Sequence, residues 1–315
     1  MTDIKKIRAA LNPTPPTPTY LSTAQQAQFN LIHSEQFEKT KPNWINVFKP
    51  PHSNQLAHCR TIIKALASNP ADQTAVALAL KIFNCKNSVR HRCHSPFCPF
   101  CRAQLQQTAV NNAQNIFSAS RNNHLSFLTI LLPVTYTPAT DATHLIKKCR
   151  KQIQHIFTKN NYSHIKFYGF AEVDIKLAPL VKNQSRAPQV LKELGFDITN
   201  NQPAYLVHLH AIVDLSNSSE SAFRQSLLNA YPGYYQVLFK PFHTNKTKQK
   251  NIQYITNYML KFLTVHADNI HADDVDEEAD YTYFFEEQNI CDYVKLVHGL
   301  LVQNKISSLA ISKNC

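Results

Sequence analysis

From residue 125 to residue 267 the apolar period switches repeatedly between two and 3.6, and the order of those switches constrains the fold more than any other feature of the chain. "LSFLTILLP" (125–133) is a strand run that Pro133 is expected to stop, because proline cannot donate to a ladder. "DATHLIKKCRKQIQHIFTKN" (141–160) has helical spacing, and "HIKFYGFAEVDIK" (164–176) alternates with period two. "AYLVHLHAIVDL" (204–215) is the next strand. "SESAFRQSLLNAY" (219–231) reads as a helix ended by Pro232-Gly233, and "YYQVLFKPF" (234–242) as a strand. A helix over "KNIQYITNYMLKFLTVHA" (250–267) closes the series.

The first six of these elements follow the order of a split βαβ, ferredoxin-like domain, so the expected class is α+β with an antiparallel sheet. In such a sheet the third strand lies centrally, between the first and the second. Side chains alternate along a strand, so His208 and His210 share one face, with Val207, Leu209 and Ala211 on the other. On the second strand, Phe170, Glu172 and Asp174 share a face. Glu172 therefore faces the histidines if the register permits. The connection 177–202, with Lys182, Arg186 and Lys192, is long enough to be expected to serve function or to move.

Upstream, "NPTPPTPT" (12–19) is too Pro-rich for a helix and reads as an extended arm. Residues 54–84 are helical with a break at "SNPAD", where Asp72 is a candidate cap. The expected organisation is an arm and helical region (1–84), a cysteine knot and helix (85–120) and a main domain (121–267). An acidic linker (268–287) and a closing amphipathic helix (288–315) follow.

Charge and composition narrow the function. The chain has 33 Lys and Arg against 21 acids, a net +12. Nine of those acids fall in residues 268–287, which hold no Lys or Arg, so the other 33 basic residues face only 12 acids and the rest of the chain carries +21. A body this basic implies a polyanionic partner, most simply nucleic acid. Only four glycines are present, and neither a Walker-type loop nor "GxGxxG" occurs, so nucleotide chemistry has no visible site. No apolar run is long enough to span a membrane, and the N-terminus has no signal core, so the cytoplasm is the expected compartment.

Two imidazoles and a carboxylate make a three-point site that leaves positions open for a phosphate oxygen on Mg²⁺ or Mn²⁺. A bare HxH pair is weak evidence, since it also occurs in zinc hydrolases and cupins. "YITNYMLK" (254–261) supplies a possible nucleophile: Tyr254 and Tyr258 stand at i and i+4 of a helix, and Lys261 one turn on. A free tyrosine is a poor nucleophile, but a neighbouring ammonium and a metal-polarised phosphodiester make attack feasible. Packing alone is the bland account of such a pair.

"FLTI" (127–130), "VHLHAIV" (207–213) and "YITNYMLK" (254–261), in that order, resemble the three motifs of HUH endonucleases, in particular the rolling-circle replication initiators of plasmids and phages. The resemblance covers residues 125 to 265. It implies a tyrosine that attacks single-stranded origin DNA, keeps the 5′-phosphate and leaves a free 3′-OH. His208 and His210 match the metal-binding histidines, with Glu172 as third ligand. Tyr258 and Lys261 match the "YxxK" form, and Tyr254 with Tyr258 the two-tyrosine "YxxxY" form. Asn257 stands where lysine is frequent, which leaves open which tyrosine attacks first. A host helicase would be a further partner. Single-strand transposases share the same motifs and chemistry. A zinc DNA-binding protein whose tyrosines only pack, or a cupin-like metal oxidoreductase, are the alternatives from other classes.

"CKNSVRHRCHSPFCPFCR" (85–102) holds Cys85, Cys93, Cys98 and Cys101, enough thiolates for a structural tetrahedral Zn²⁺, with His91 or His94 as alternative ligands. The cluster also looks like the cysteine-rich segment of some plasmid initiators. Arg90, Arg92 and Arg102 are candidate phosphate contacts. Cys59, Cys149, Cys291 and Cys315 have no assigned partner. "YPGYYQ" (231–236) offers aromatics for stacking on bases, although turn and strand packing explains them as well.

Overall fold

In a computed structural model the described residues are 18–39, 53–85, 92–137, 141–160, 162, 164–181, 187–216, 220–262, 265–267, 281–304 and 310–313. The Pro-rich run 12–17, Arg90, His91, Lys182, Arg186, Cys315 and the acidic residues 268–280 lie outside them. The chain divides into two compact units, residues 1–101 with 286–295, and residues 102–285 with 296–315.

The first unit is helical: α1 (Thr23–Ile32), α2 (Ser53–Ala67) and α3 (Gln73–Phe83). Ser22 and Gln25 form a capping box at the start of α1. Asp72 caps α3 as its position predicts, accepting from the Ala75 N–H at 2.9 Å. Lys295 pairs with the same carboxylate at 2.7 Å. Phe29, Ile32, Ile63, Leu66, Val76 and Ile82 fill the interior at 3% exposure or less.

The second unit contains the sheet. Its elements run α4 (Pro99–Ile116, beginning in the first unit), β1 (Leu125–Thr135), α5 (Thr143–Lys159), β2 (Lys166–Lys176), α6 (Ala178–Val181), α7 (Ala187–Glu193) and β3 (Ala204–Asp214). There follow α8 (Glu220–Ala230), β4 (Val237–Pro241), α9 (Lys248–Met259), β5 (Val265–Ala267), β6 (Tyr281–Phe284), α10 (Glu287–Asn304, beginning in the first unit) and β7 (Ala310–Lys313). The main sheet is antiparallel in the order β4-β1-β3-β2-β7, and β5 pairs antiparallel with β6 in a second, two-stranded sheet. The third strand is central, as the element order predicts.

Parity sorts the two faces. Phe157 of α5 meets Phe167 of β2 and Phe223 of α8, so α5 and α8 cover the face of Phe167, Leu128 and Phe239. Tyr258 of α9 meets Phe127 of β1 and His210 of β3, so α9 covers the other face, on which the histidines stand.

Three expectations need correction, the first being the closing helix over 288–315, which ends at Asn304 and is followed by the strand Ala310–Lys313. Pro133 does not stop β1: the pairing with β3 shifts register between Leu131 and Val134, and the strand resumes beyond this irregularity. The helix predicted over 250–267 ends at Met259. Leu260 N–H turns back to the Asn257 carbonyl, Phe262 takes φ +43°, and Val265–Ala267 is a strand.

The segment 177–202 is in part a core element. Ala178, Val181, Leu191, Leu194 and Phe196 pack with Ala204 and Leu206 in a small apolar cluster, while Lys192 is exposed.

Candidate metal centres and active site

The first centre is built by a tight turn and a helix start. Cys85 follows α3, Cys93 and Cys98 bracket a turn, and Cys101 lies in the first turn of α4. All four are buried, and their sulfurs lie within 4.8 Å of one another. Cys101 Sγ stands 3.6 Å from Cys85 Sγ and 3.5 Å from Cys93 Sγ. These separations are far too long for disulfides and close to the ~3.8 Å edge of a tetrahedron with 2.3 Å metal–sulfur bonds.

The turn is shaped for the sulfurs. His94 adopts φ +54°, the Ser95 N–H donates to Cys93 Sγ at 3.5 Å, and the Cys98 N–H to the Ser95 carbonyl at 3.1 Å. Hydrogen bonding from Cys101, Cys93 and Cys98 holds the Cys85 thiol below its ordinary range, while contacts with Cys101 and Cys85 push Cys93 and Cys98 up. Four buried sulfurs competing for protons are what a soft cation relieves. This group can hold a metal ion. His94 is exposed and outside the sulfur group.

The second centre lies on the sheet. Glu172 pairs directly with His208 across β2 and β3, and Phe170 with His210. The ligand atoms of Glu172, His208 and His210 lie within 4.8 Å of one another, so this group also can hold a metal ion. The contacts are diagonal: His210 Nε2 is 3.4 Å from Glu172 Oε2, and His208 Nε2 is 3.4 Å from Asp174 Oδ2.

Glu172 is 3% and His210 4% exposed. Thr129 Oγ1 sits 2.9 Å from His210 Nδ1. With Nδ1–H donating to Thr129, the Nε2 lone pair points into the group. Gly169 makes the close strand approach possible, since a Cβ there would lie 2.6 Å from that of Ala211, next to His210.

Glu172 Oε1 and His208 Nε2 are buried without a hydrogen-bond partner. Such orphaned polar atoms are costly unless a cation satisfies them. Burial raises the Glu172 pKa and pushes His208 down to about 3, which keeps the imidazole neutral and able to ligate. Burial alone would raise Asp174 too, but Lys176, His208 and Lys261 outweigh it and hold this carboxyl below its usual range.

The tyrosines separate. The Tyr258 ring lies 5.4 Å from the His210 ring, with the Lys261 ammonium 4.1 Å from the Tyr258 centroid. Burial, then the charges of Glu172 and Asp174, raise the Tyr258 pKa. Tyr254 instead stands beside Lys246, whose Nζ is 4.4 Å from its ring, and His243. Lys261, predicted on the helix, lies beyond its end. Arg102 donates to the Lys261 carbonyl at 2.9 Å, and Gln106 to that of Leu260 at 3.3 Å. Arg102 is thus engaged in holding the end of α9. Arg92 stacks on Phe100, with Cζ 5.5 Å from the ring centroid.

Phe127 and Thr129 lie within the quoted FLTI run and Asp174 shares the face of Glu172, but sequence reasoning gave none of the three a role at the site. Face parity was the available signal for each. Of the remaining cysteines, Cys59, Cys149 and Cys291 are buried, and Cys149 accepts from the Tyr231 hydroxyl at 3.4 Å. A basic surface lies on the α5 side of the sheet. His144, Lys147, Lys148, Arg150, Lys151 and His155 line a cavity of about 810 Å³ there, and α5 contains no acid. Among the described residues no helix is long and apolar enough to cross a membrane.

Compared with protein-family models, curated proteins and solved structures, the chain matches none.

Proposed function

We propose that the chain is an HUH-type endonuclease on a split βαβ, ferredoxin-like domain, which nicks and rejoins single-stranded DNA and initiates rolling-circle replication. One observation carries this reading: a single tyrosine, Tyr258, is packed against His210 of a buried Glu/His/His group, with a lysine over its ring. The β4-β1-β3-β2 order and the net +21 carried outside residues 268–287 support it.

Glu172, His208 and His210 would hold Mg²⁺ or Mn²⁺, which when bound polarises the scissile phosphate and offsets charge on its non-bridging oxygens. The four cysteines would hold a structural Zn²⁺.

Tyr258 Oη forms a bond to phosphorus as the bond to the 3′-oxygen breaks. The phenol gives up its proton and the leaving 3′-oxygen gains one. Because burial, with the charges of Glu172 and Asp174, favours the neutral phenol, Lys261 matters: its ammonium offsets the negative charge that develops on the tyrosine oxygen. Thr129 holds the His210 ring, and Phe127 closes its face. The phosphotyrosine ester conserves the energy of the cut linkage, so rejoining needs no nucleotide cofactor. Tyr258 is the first nucleophile in this reading, with Tyr254 as the second. The DNA partner is an origin segment, single-stranded at the nick.

Metal dependence tests the proposal. Cleavage of oligonucleotides tiled across the DNA flanking the gene should require Mn²⁺ or Mg²⁺. His210→Ala should abolish it while leaving DNA affinity within about twofold, since phosphate contacts supply most affinity. Equal loss of cleavage and binding would count against the metal assignment.

A further inference from the structure

Tyr234 and Tyr235 are 50% and 42% exposed, and with Tyr20 they are the strongly exposed large apolar side chains among the described residues. Their rings stand edge to face, 4.4 Å apart. Tyr231, in the same stretch, is 4% exposed, so packing explains Tyr231 and not the pair.

The backbone is bent to present them. Tyr235 takes φ +53°, a left-handed region that bulky residues seldom occupy. Gln236 pins the turn: its N–H donates to the Gly233 carbonyl at 3.1 Å, and its Oε1 accepts from the Gly233 N–H at 3.0 Å. Its Nε2 donates to the Leu131 carbonyl at 2.9 Å, and its own carbonyl accepts from the Leu131 N–H at 2.9 Å. Strain held in place to expose two rings is a feature of binding surfaces rather than of cores.

The sheet register locates this turn. Leu131, tied to Gln236, is the Cα partner of His208, and His208 that of Glu172. Gln236, the residue that follows the pair, therefore stands level with His208, two strand spacings or ~10 Å from β3. That distance is about the rise of three stacked nucleotides. The Tyr234 N–H donates to Glu193 Oε2 at 3.0 Å, and a carboxylate there disfavours a phosphate. The ligand that fits two uncharged π-surfaces beside an acid is a nucleobase face.

We propose that Tyr234 and Tyr235 form a base-stacking platform for unpaired DNA flanking the nick, an inference that rests on the single-strand reading above. The test measures anisotropy of a labelled twenty-nucleotide thymidine strand and of an abasic strand of equal length, with no Mg²⁺ or Mn²⁺ added so that cleavage is not involved and the cysteine-bound metal is left in place. Wild type should bind the thymidine strand about tenfold more tightly than the abasic one. A Tyr234→Ala/Tyr235→Ala variant should lose that preference with abasic affinity and salt dependence unchanged, and the corresponding double Phe variant should keep it. A preference that survives in the Ala variant, equal loss of both affinities, or no preference in wild type would each overturn the platform. Preference without any Tyr258 adduct would sink the nuclease reading and leave stacking in place. An adduct without preference would do the reverse.

Discussion

Thr129 explains why His210 has a fixed ring: its hydroxyl holds Nδ1, while Phe127 stacks at 5.4 Å between ring centroids. Thr129→Val is nearly isosteric, so the strand should survive while Mn²⁺ affinity falls about tenfold, the usual cost of losing a group that orients a ligand. Isothermal titration reads this directly, and unchanged affinity would remove Thr129 from the site. Lys261→Met should slow adduct formation about tenfold or more in single-turnover assays, because a cation beside developing charge is lost. DNA affinity should change little, and an unchanged rate would deny Lys261 its role. At this scale much was legible. The HxH parity and the strand order put Glu172 on a face that could meet the histidines, while its direct pairing with His208 depends on a register that parity does not fix. The diagonal contacts were not legible, because side-chain rotamers choose between Glu172 and Asp174 as the nearer partner of each histidine. Neither was the choice between Tyr254 and Tyr258, which share a helix face in projection but meet different neighbours.

Among elements, α4 and α9 complete each other's ends. Lys248, at the start of α9, donates to the carbonyls of Phe117, Ser118 and Ser120 just past α4, at 2.6 to 3.1 Å. Arg102 and Gln106, near the start of α4, donate to the carbonyls that close α9. Lys248→Met should cost about 1–2 kcal/mol, a few charge-assisted bonds less their solvation, measured by denaturant unfolding. A loss below a few tenths would contradict this account of the helix ends. These long-range bonds are why α9 stops at Met259 although its apolar pattern continues to residue 267, and no local signal carried them.

The Asp72 cap, by contrast, was legible, since capping is local chemistry. Burial pushes the Asp72 carboxyl up, but Lys295 and the Ala75 N–H hold it below the usual range. Such a group stabilises fully above its unfolded value, near pH 4, and progressively less as pH falls through the native value. Asp72→Ala should therefore cost about 1 kcal/mol at neutral pH, and the difference from wild type should shrink in acid. A penalty independent of pH from 7 down to 2 would rule out the ion pair and charged cap as its source.

For the whole molecule, the +21 carried outside residues 268–287 is a statement about partners, and the two metal groups are statements about folding and chemistry. The protein as purified should contain one zinc per chain by elemental analysis. A strong chelator, or Cys98→Ser, should lower the thermal midpoint by several degrees, because structural zinc contributes folding free energy. Zinc-free protein of unchanged stability would contradict a structural ion. The α+β class with an antiparallel sheet was legible because the apolar period switches between strand and helix along the chain, whereas the pairing of β7 at the sheet edge was not, since a four-residue strand carries no periodic signal. The central claim is a covalent tyrosine–DNA bond, so the decisive measurement is an SDS-resistant protein–DNA adduct on single-stranded oligonucleotides from the flanking DNA with Mn²⁺. The account predicts an adduct from wild type and Tyr254→Phe and none from Tyr258→Phe on a first cut. An adduct that persists in Tyr258→Phe, or tight binding with no adduct from wild type under Mn²⁺ or Mg²⁺, would contradict it.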